Sequence, residues 1–418
     1  MLKELQPKDF IAGRRIRARS VLPDVRDIVA SVAAQGDDAL RAFSLRYDSV
    51  DLGDGPLRVP VAAVQAAPGR VAATLVGDME VAYRRLLDFH RQLEVRPNTA
   101  PASRGVRARV EFQPIRRVGL YAPAGRAPLF STVLMVAAAA RAAGVGEIAI
   151  ASPPGPDGEV SPYILTAAHV AGITEVYRIG GAQAIAALAF GTQEVRAVDK
   201  IAGPGSRWVA AAKREVYGVV DVDLVAGPSE LLVVADGSAD PALVAMDLLA
   251  QAEHDPHAEV ALLALAEGIT QTVRREVLRE VGEEGLPASL GHADACLERD
   301  VSAAIGVADA WAPEHLGLHV RDPGVWIGAV RAGSVFVGGM TPTALGDYVA
   351  GPSHVLPTGG SARALSGLTK LHFLRSFTVT EVERVDVGLF SLAERLAGTE
   401  GLPMHARSLR MRTDREGT

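Results

Sequence analysis

Apolar residues at Val25, Ile28, Val29 and Val32 repeat at helical spacing, so the pattern predicts an amphipathic helix over 24–34. Gly53, Gly55, Pro56 and Pro60 interrupt it, and 50–61 reads as a turn or short-strand region. A second amphipathic helix follows to about residue 93, and 97–103 reads as a loop. From about residue 115 the pattern becomes one of short strands alternating with Ala-rich, helix-prone stretches. The strands are predicted at 117–121, 147–151, 175–179, 198–202 and 230–235, and the helices at 132–143, 162–171, 182–190 and 207–217. This spacing is that of a βα repeat, and it predicts a parallel sheet with covering helices. Sheets of this kind bind ligands at the carboxyl ends of their strands, where the loops YAPAG, RIGGAQ and AGPGS follow.

Further along, Asp240 is placed as an N-cap with Pro241 at the first helical position. That helix should run to about His254 and stop before Pro256. A helix-rich stretch covers 270–290, strands are expected near 314–320 and 335–338, and a Gly/Pro-rich segment leads to residue 360. The last forty-odd residues read as helix and a basic tail.

Composition narrows the function classes. The 418 residues allow two or three domains at roughly 150 residues each. With 43 Lys+Arg against 49 Asp+Glu the net charge is −6, a poor match to a phosphate backbone, so nucleic acid is set aside. The longest uncharged apolar run, 133–140, is far below the roughly 18 residues of a membrane span. The first residues, MLKELQPKDF, carry no apolar signal core, so a cytoplasmic protein is expected. The single cysteine, Cys296, excludes an intrachain disulfide and a multi-thiolate zinc site, leaving a mixed N/O metal site open.

Three constellations could carry chemistry. In DLLAQAEHDPH, Gln251 and His254 are three apart on one helix face, which is half of a divalent-metal site or simply a helix end whose carbonyls meet an imidazole. In APEHLGLHV, alternation sends Glu314 and His315 to opposite strand faces unless the chain kinks, which Pro313 permits. Together they would make a general base and a water-activating carboxylate; apart, a solvated Glu and a core His. The segment GDYVAGPSHVLPTGG packs Asp347, Tyr348 and His354 among glycines and prolines, a constraint that fits close approach of a ligand or of another backbone. No GxGxxG follows any strand, and nothing beside Cys296 points to a lowered thiol pKa.

Taken in order, GLYAPAG, IGGAQAIAALAFGT, KIAGPG, AGPSE, DLLAQAEHDP, APEHL, GDYVAGPSHVLPT and TEGLPMHAR resemble the histidinol dehydrogenase family over nearly the whole chain. That family oxidises L-histidinol through L-histidinaldehyde to L-histidine, the last step of histidine biosynthesis, using zinc and two NAD in turn. The resemblance implies an α/β fold of Rossmann-like parallel sheets with covering helices, lacking GxGxxG, plus a helical C-terminal tail domain. It divides the chain into 1–116 with 234–370 as a discontinuous main α/β domain and 117–233 as a second one on the NAD side. The remaining 371–418 forms a tail exchanged within a homodimer. Carried onto this sequence, it implies one zinc per subunit on Gln251, His254, Asp347 and His405, with catalysis by Glu314 and His315. Substrate contacts fall to Ser229, Glu400, His315 and the metal ligands. NAD contacts fall to Tyr121, Gln183 and Ser206, the last a shorter hydroxyl where the family usually has Asn. The competing readings are a zinc/NAD dehydrogenase of another polar alcohol, a zinc hydrolase with Glu314 as base, which would turn over without NAD, and a non-catalytic binding protein.

Overall fold

Arg117–Tyr121 is buried along its whole length, and so are Glu230–Ala235 and His315–His319. Strands without a solvent face belong to parallel sheets covered on both sides, and the computed structural model contains two of them. The first sheet runs Glu175–Arg178, Glu147–Ser152, Arg117–Tyr121, Lys200–Ala202, Asp221–Val222, all parallel. The second runs Lys3–Leu5, Asp294–Leu297, Glu259–Ala264, Glu230–Ala235, His315–His319, Ser334–Val337, again all parallel. Numbered along the chain, both sheets have the order 3-2-1-4-5, with Lys3–Leu5 added at the edge of the second. Alternate residues of each strand feed apolar clusters on opposite faces: Val118 and Leu120 against Ala149 and Ala151 in the first sheet, Leu231 and Val233 against Leu232 and Val234 in the second. The fold is the expected Rossmann-like α/β one.

Residues 2–17, 24–98, 102–124, 127–282 and 285–416 are described; 99–101 of the expected loop, Gly125 of YAPAG and 283–284 of the helix-rich stretch lie outside them. Met1–Leu93 and Ile115–Phe373 make one compact unit, which holds both parallel sheets. In it the helices Asp24–Gln35 and Ala73–Gln92 pack on the crossover helices of the first sheet. The helix begun by Asp240, whose carboxylate accepts the Ala242 N–H, is Pro241–Ala252.

Glu94–Pro114 and Leu374–Thr418 form the second unit. The C-terminal segment opens as a strand, Leu374–Val382, paired antiparallel with Val106–Pro114, before the helices Val387–Thr399 and Pro403–Glu416. Phe390 and Ala406 are the buried apolar residues among its described positions, while Val387, Leu396 and Met404 are more than half exposed.

One buried residue of the first unit sets an acid limit on stability. His90, on Ala73–Gln92, is fully buried and neither ring nitrogen has a partner. Burial, reinforced by Lys370, pushes its pKa down to about 4. The unfolded chain therefore takes up a proton near pH 6.5 that the folded one refuses. His90 should leave stability intact above pH 6.5 and remove up to about 3 kcal/mol as pH falls toward 4. Chemical denaturation of wild type and His90→Leu across that range checks this: the wild-type loss should be shallower in the variant, and equal slopes would contradict it.

Candidate active site

The amino edge of the second sheet brings the candidate catalytic residues together. His315 opens its strand, Glu230 opens the neighbouring one, and Leu231 lies opposite His315. The kink that alternation required is present as a bend at Glu314, two residues past Ala312, which ends the helix Val301–Trp311 in the left-handed region at φ 46°. A non-glycine residue there is strained, and such strain is retained where the surroundings demand it. The turn puts Glu314 Oε2 3.4 Å from His315 Nδ1, both side chains buried.

Glu230, which sequence reasoning did not single out, clamps this pair. Its N–H donates to Glu314 Oε2 at 2.6 Å, and its own carboxylate accepts from Glu314 N–H and, at 2.5 Å, from Gly359 N–H. His315 Nδ1 lies 2.9 Å from the Glu230 carbonyl. A carbonyl only accepts, so Nδ1 carries the hydrogen and Nε2 is left as the basic nitrogen. Burial disfavours the imidazolium, but the Glu314 carboxylate and then Asp347 outweigh it, and His315 is pushed up to about 9, so the neutral form whose Nε2 can accept a proton becomes abundant only as pH rises toward that value.

Two of the candidate metal ligands, His254 and Asp347, lie within electrostatic reach of that pair. His254 follows the end of Pro241–Ala252, and its Nε2 is 3.5 Å from Asp347 Oδ2. The Asp347 hydrogen bond raises the His254 pKa against burial. Asp347 is itself held low by His254 and its other histidine neighbours, against burial. Gln251 is buried with its amide Nε2 unpartnered, and rotating the amide by half a turn would put the oxygen, the atom of a carboxamide that binds a metal, in that unpartnered position. Gln251, His254 and Asp347 thus offer one nitrogen and two oxygens, a donor set that suits zinc and lacks a fourth member. Among the described residues no three His, Cys, Asp or Glu side chains gather as a metal centre. Glu400 and His405 belong to the second unit and are exposed. His354 has Nδ1 3.9 Å from Asp347 and Nε2 3.0 Å from Thr132 Oγ1, so it links this loop to the helix Phe130–Ala143. Ser229, half-buried, directly precedes Glu230. The Cys296 thiol is buried and pushed up to about 11 by desolvation, which suits no nucleophile.

Tyr121, Gln183 and Ser206 lie at the other end of the other sheet, its carboxyl edge. Tyr121 ends its strand, and its buried hydroxyl accepts the Gly181 N–H at 3.0 Å. Gln183 is buried in the first turn of Gly181–Phe190, and Ser206 is the exposed residue before Arg207–Val216. Arg117–Tyr121 and Lys200–Ala202 are neighbours whose following connections diverge, which is where such sheets open a crevice. Gly203 has φ 117°, and a Cβ there would meet the Tyr121 carbonyl oxygen at 2.2 Å, so only glycine fits. A buried ion pair absent from the sequence reading fixes this turn: Lys213 Nζ donates to the Gly203 carbonyl and to Asp223, whose carboxylate accepts the Gly203 N–H.

The sequence and the fold match known proteins over nearly the whole chain. The family model for histidinol dehydrogenase matches residues 12–413. The chain is 43% identical to histidinol dehydrogenase of Moorella thermoacetica over 412 residues, covering 96% of this chain and 97% of that one. It is 40% identical to that of Gluconobacter oxydans, covering 97% and 96%. The crystal structure of histidinol dehydrogenase from Elizabethkingia anophelis superposes with a TM-score of 0.92 at 32% identity, over 100% of this chain and 99% of that one. With the match spanning both sheets and both units, the chain belongs to the histidinol dehydrogenase family, a family of oxidoreductases.

Proposed function

We propose that the chain oxidises L-histidinol through L-histidinaldehyde to L-histidine, the last step of L-histidine biosynthesis, with one zinc per subunit and two NAD consumed in turn. The observation that carries this reading is the buried Glu314–His315 pair, 3.4 Å apart, with His315 Nδ1–H committed to a carbonyl and His254 and Asp347 close by.

The chemistry divides between the two side chains. His315 Nε2 takes the alcohol proton in the first oxidation and the proton of the aldehyde hydrate in the second. Glu314 takes a proton from the water that adds to the aldehyde. Tyr121, Gln183 and Ser206 would hold NAD, which would supply the hydride acceptor for each oxidation. Gln251, His254, Asp347 and His405 would hold zinc, which would supply a Lewis-acid centre suited to the nitrogen donors of histidinol. Ser229 and Glu400 hold the remaining polar groups of the substrate. A hydrate route uses no thiol, in keeping with the inert Cys296.

The same reading makes the molecule a cytoplasmic homodimer in which the second unit of one subunit brings His405 to the other subunit's site. Its exposed apolar residues, and only Phe390 and Ala406 as buried apolar ones among its described positions, support the shared site.

Chelation tests the metal. Activity should disappear with chelator and return with zinc, and His254→Ala and Asp347→Ala should each bind less zinc, because loss of one of four donors leaves an open, exchangeable site. Full activity in metal-free protein would contradict the assignment.

A further inference from the structure

Asp48 lies far from the residues discussed so far in sequence, yet its carboxylate meets one of them. Gln183 Nε2 donates to Asp48 Oδ2 at 3.4 Å, and the Ser44 hydroxyl is 3.3 Å from the same oxygen. The local backbone is unusual on both sides. Ser44–Asp48 is a single π-helical turn, and Ser49 follows it in the left-handed region at φ 57°. Such turns and such non-glycine conformations cost stability and gather at functional sites.

The carboxylate is also poorly compensated. Asp48 is half-buried, and among the described residues no cation lies within ion-pair distance of it. Desolvation raises its pKa against the Ser44 bond. A charge kept in this state weakens the fold unless it serves something else. Next to it the Gln183 amide folds back over Gly181, where an added Cβ would lie 2.6 Å from Gln183 Oε1, and Gly181 N–H donates to the Tyr121 hydroxyl. Asp48, Gln183, Gly181 and Tyr121 therefore form one connected group at the carboxyl edge of the first sheet.

We propose that Asp48 is a positioning residue of the NAD site: its carboxylate holds the Gln183 amide in the orientation that receives the dinucleotide. This rests on the assignment of the carboxyl edge to NAD. The π-turn and the left-handed Ser49 exist to deliver the carboxylate to that amide.

The test is calorimetric titration of purified protein with NAD, joined to steady-state kinetics. Asp48→Ala should raise Kd and KM for NAD about 5- to 10-fold, the loss of roughly one hydrogen bond. Saturated kcat and KM for histidinol should stay within twofold. Asp48→Asn keeps an acceptor oxygen and should recover most of the binding. In a Gln183→Ala background, Asp48→Ala should add nothing further, because the residue acts through that amide. Asp48→Ser, too short to reach the amide, makes the same comparison if alanine is not tolerated. Wild-type affinity in Asp48→Ala, an Asn variant as impaired as Ala, or additive losses in the double variant would overturn the proposal alone. A wild-type protein that binds no NAD would overturn the cofactor assignment and this proposal with it.

Discussion

Replacing His315 with alanine should lower kcat by about 10²- to 10⁴-fold in both oxidations, since a base is required in each. The geometry leaves no substitute: Nδ1–H is held by the Glu230 carbonyl and Nε2 is the basic atom of the ring. His315→Asn can keep a donor toward that carbonyl while lacking a base, so an equal loss there attributes the effect to the proton transfer and not to repacking. Glu314→Gln should behave differently. The amide still accepts the Glu230 N–H but cannot deprotonate water, so oxidation of supplied histidinaldehyde should fall well below any step confined to the alcohol. The two half-reactions are measured separately, with histidinol in single turnover and with aldehyde directly. If both variants show one and the same defect in both halves, the division of roles is wrong.

The second large effect is a recovery. His315→Ala and His405→Ala subunits, each nearly inactive alone, are unfolded together in equal amounts and refolded. If the second unit is exchanged, every mixed dimer carries one site with both defects and one intact site. Random pairing makes about half the dimers mixed, so roughly a quarter of wild-type sites should return. The surface of that unit would drive the exchange: Val387 is 58%, Leu396 59% and Met404 66% exposed, apolar area that docking on a second subunit would take out of water. Without exchange each site keeps one defect, and activity stays at the level of the parents. Mixed dimers that form and show no recovery would rule the shared site out.

Much of this was legible in the chain, for reasons that differ from place to place. Arg117–Tyr121 and Glu230–Ala235 were placed at their observed bounds, because short apolar runs between turn residues have few other readings. The Asp240 cap was equally clear, a side chain and a proline acting locally. Glu259–Ala264 was not. EVALLA is made of helix formers, and it is a strand because Glu230–Ala235 and Asp294–Leu297 flank it on both sides. Asp294–Leu297 is too short to show a period. The Glu314–His315 pairing depends on a bend at Glu314 itself, and the left-handed alanine at 312 just before it carries none of the glycine or asparagine signal that announces such turns. Lys213, Glu230 and Asp48 gain their partners through tertiary contacts, several between residues more than eighty positions apart, and no local pattern reports those. The ligand set came from rare motifs in fixed order. Spacing alone left Gln251 and His254 open to an ordinary helix end.

A four-electron oxidation completed in one site leaves a fixed ratio of reduced cofactor to substrate, and that ratio can be counted. Purified, zinc-loaded protein is given a limiting, known amount of L-histidinol with excess NAD, and NADH, free aldehyde and histidine are measured at completion. Two NADH and one histidine per histidinol are expected, with little free aldehyde at any time. One NADH with accumulating aldehyde, or consumption of histidinol without NADH, would contradict it.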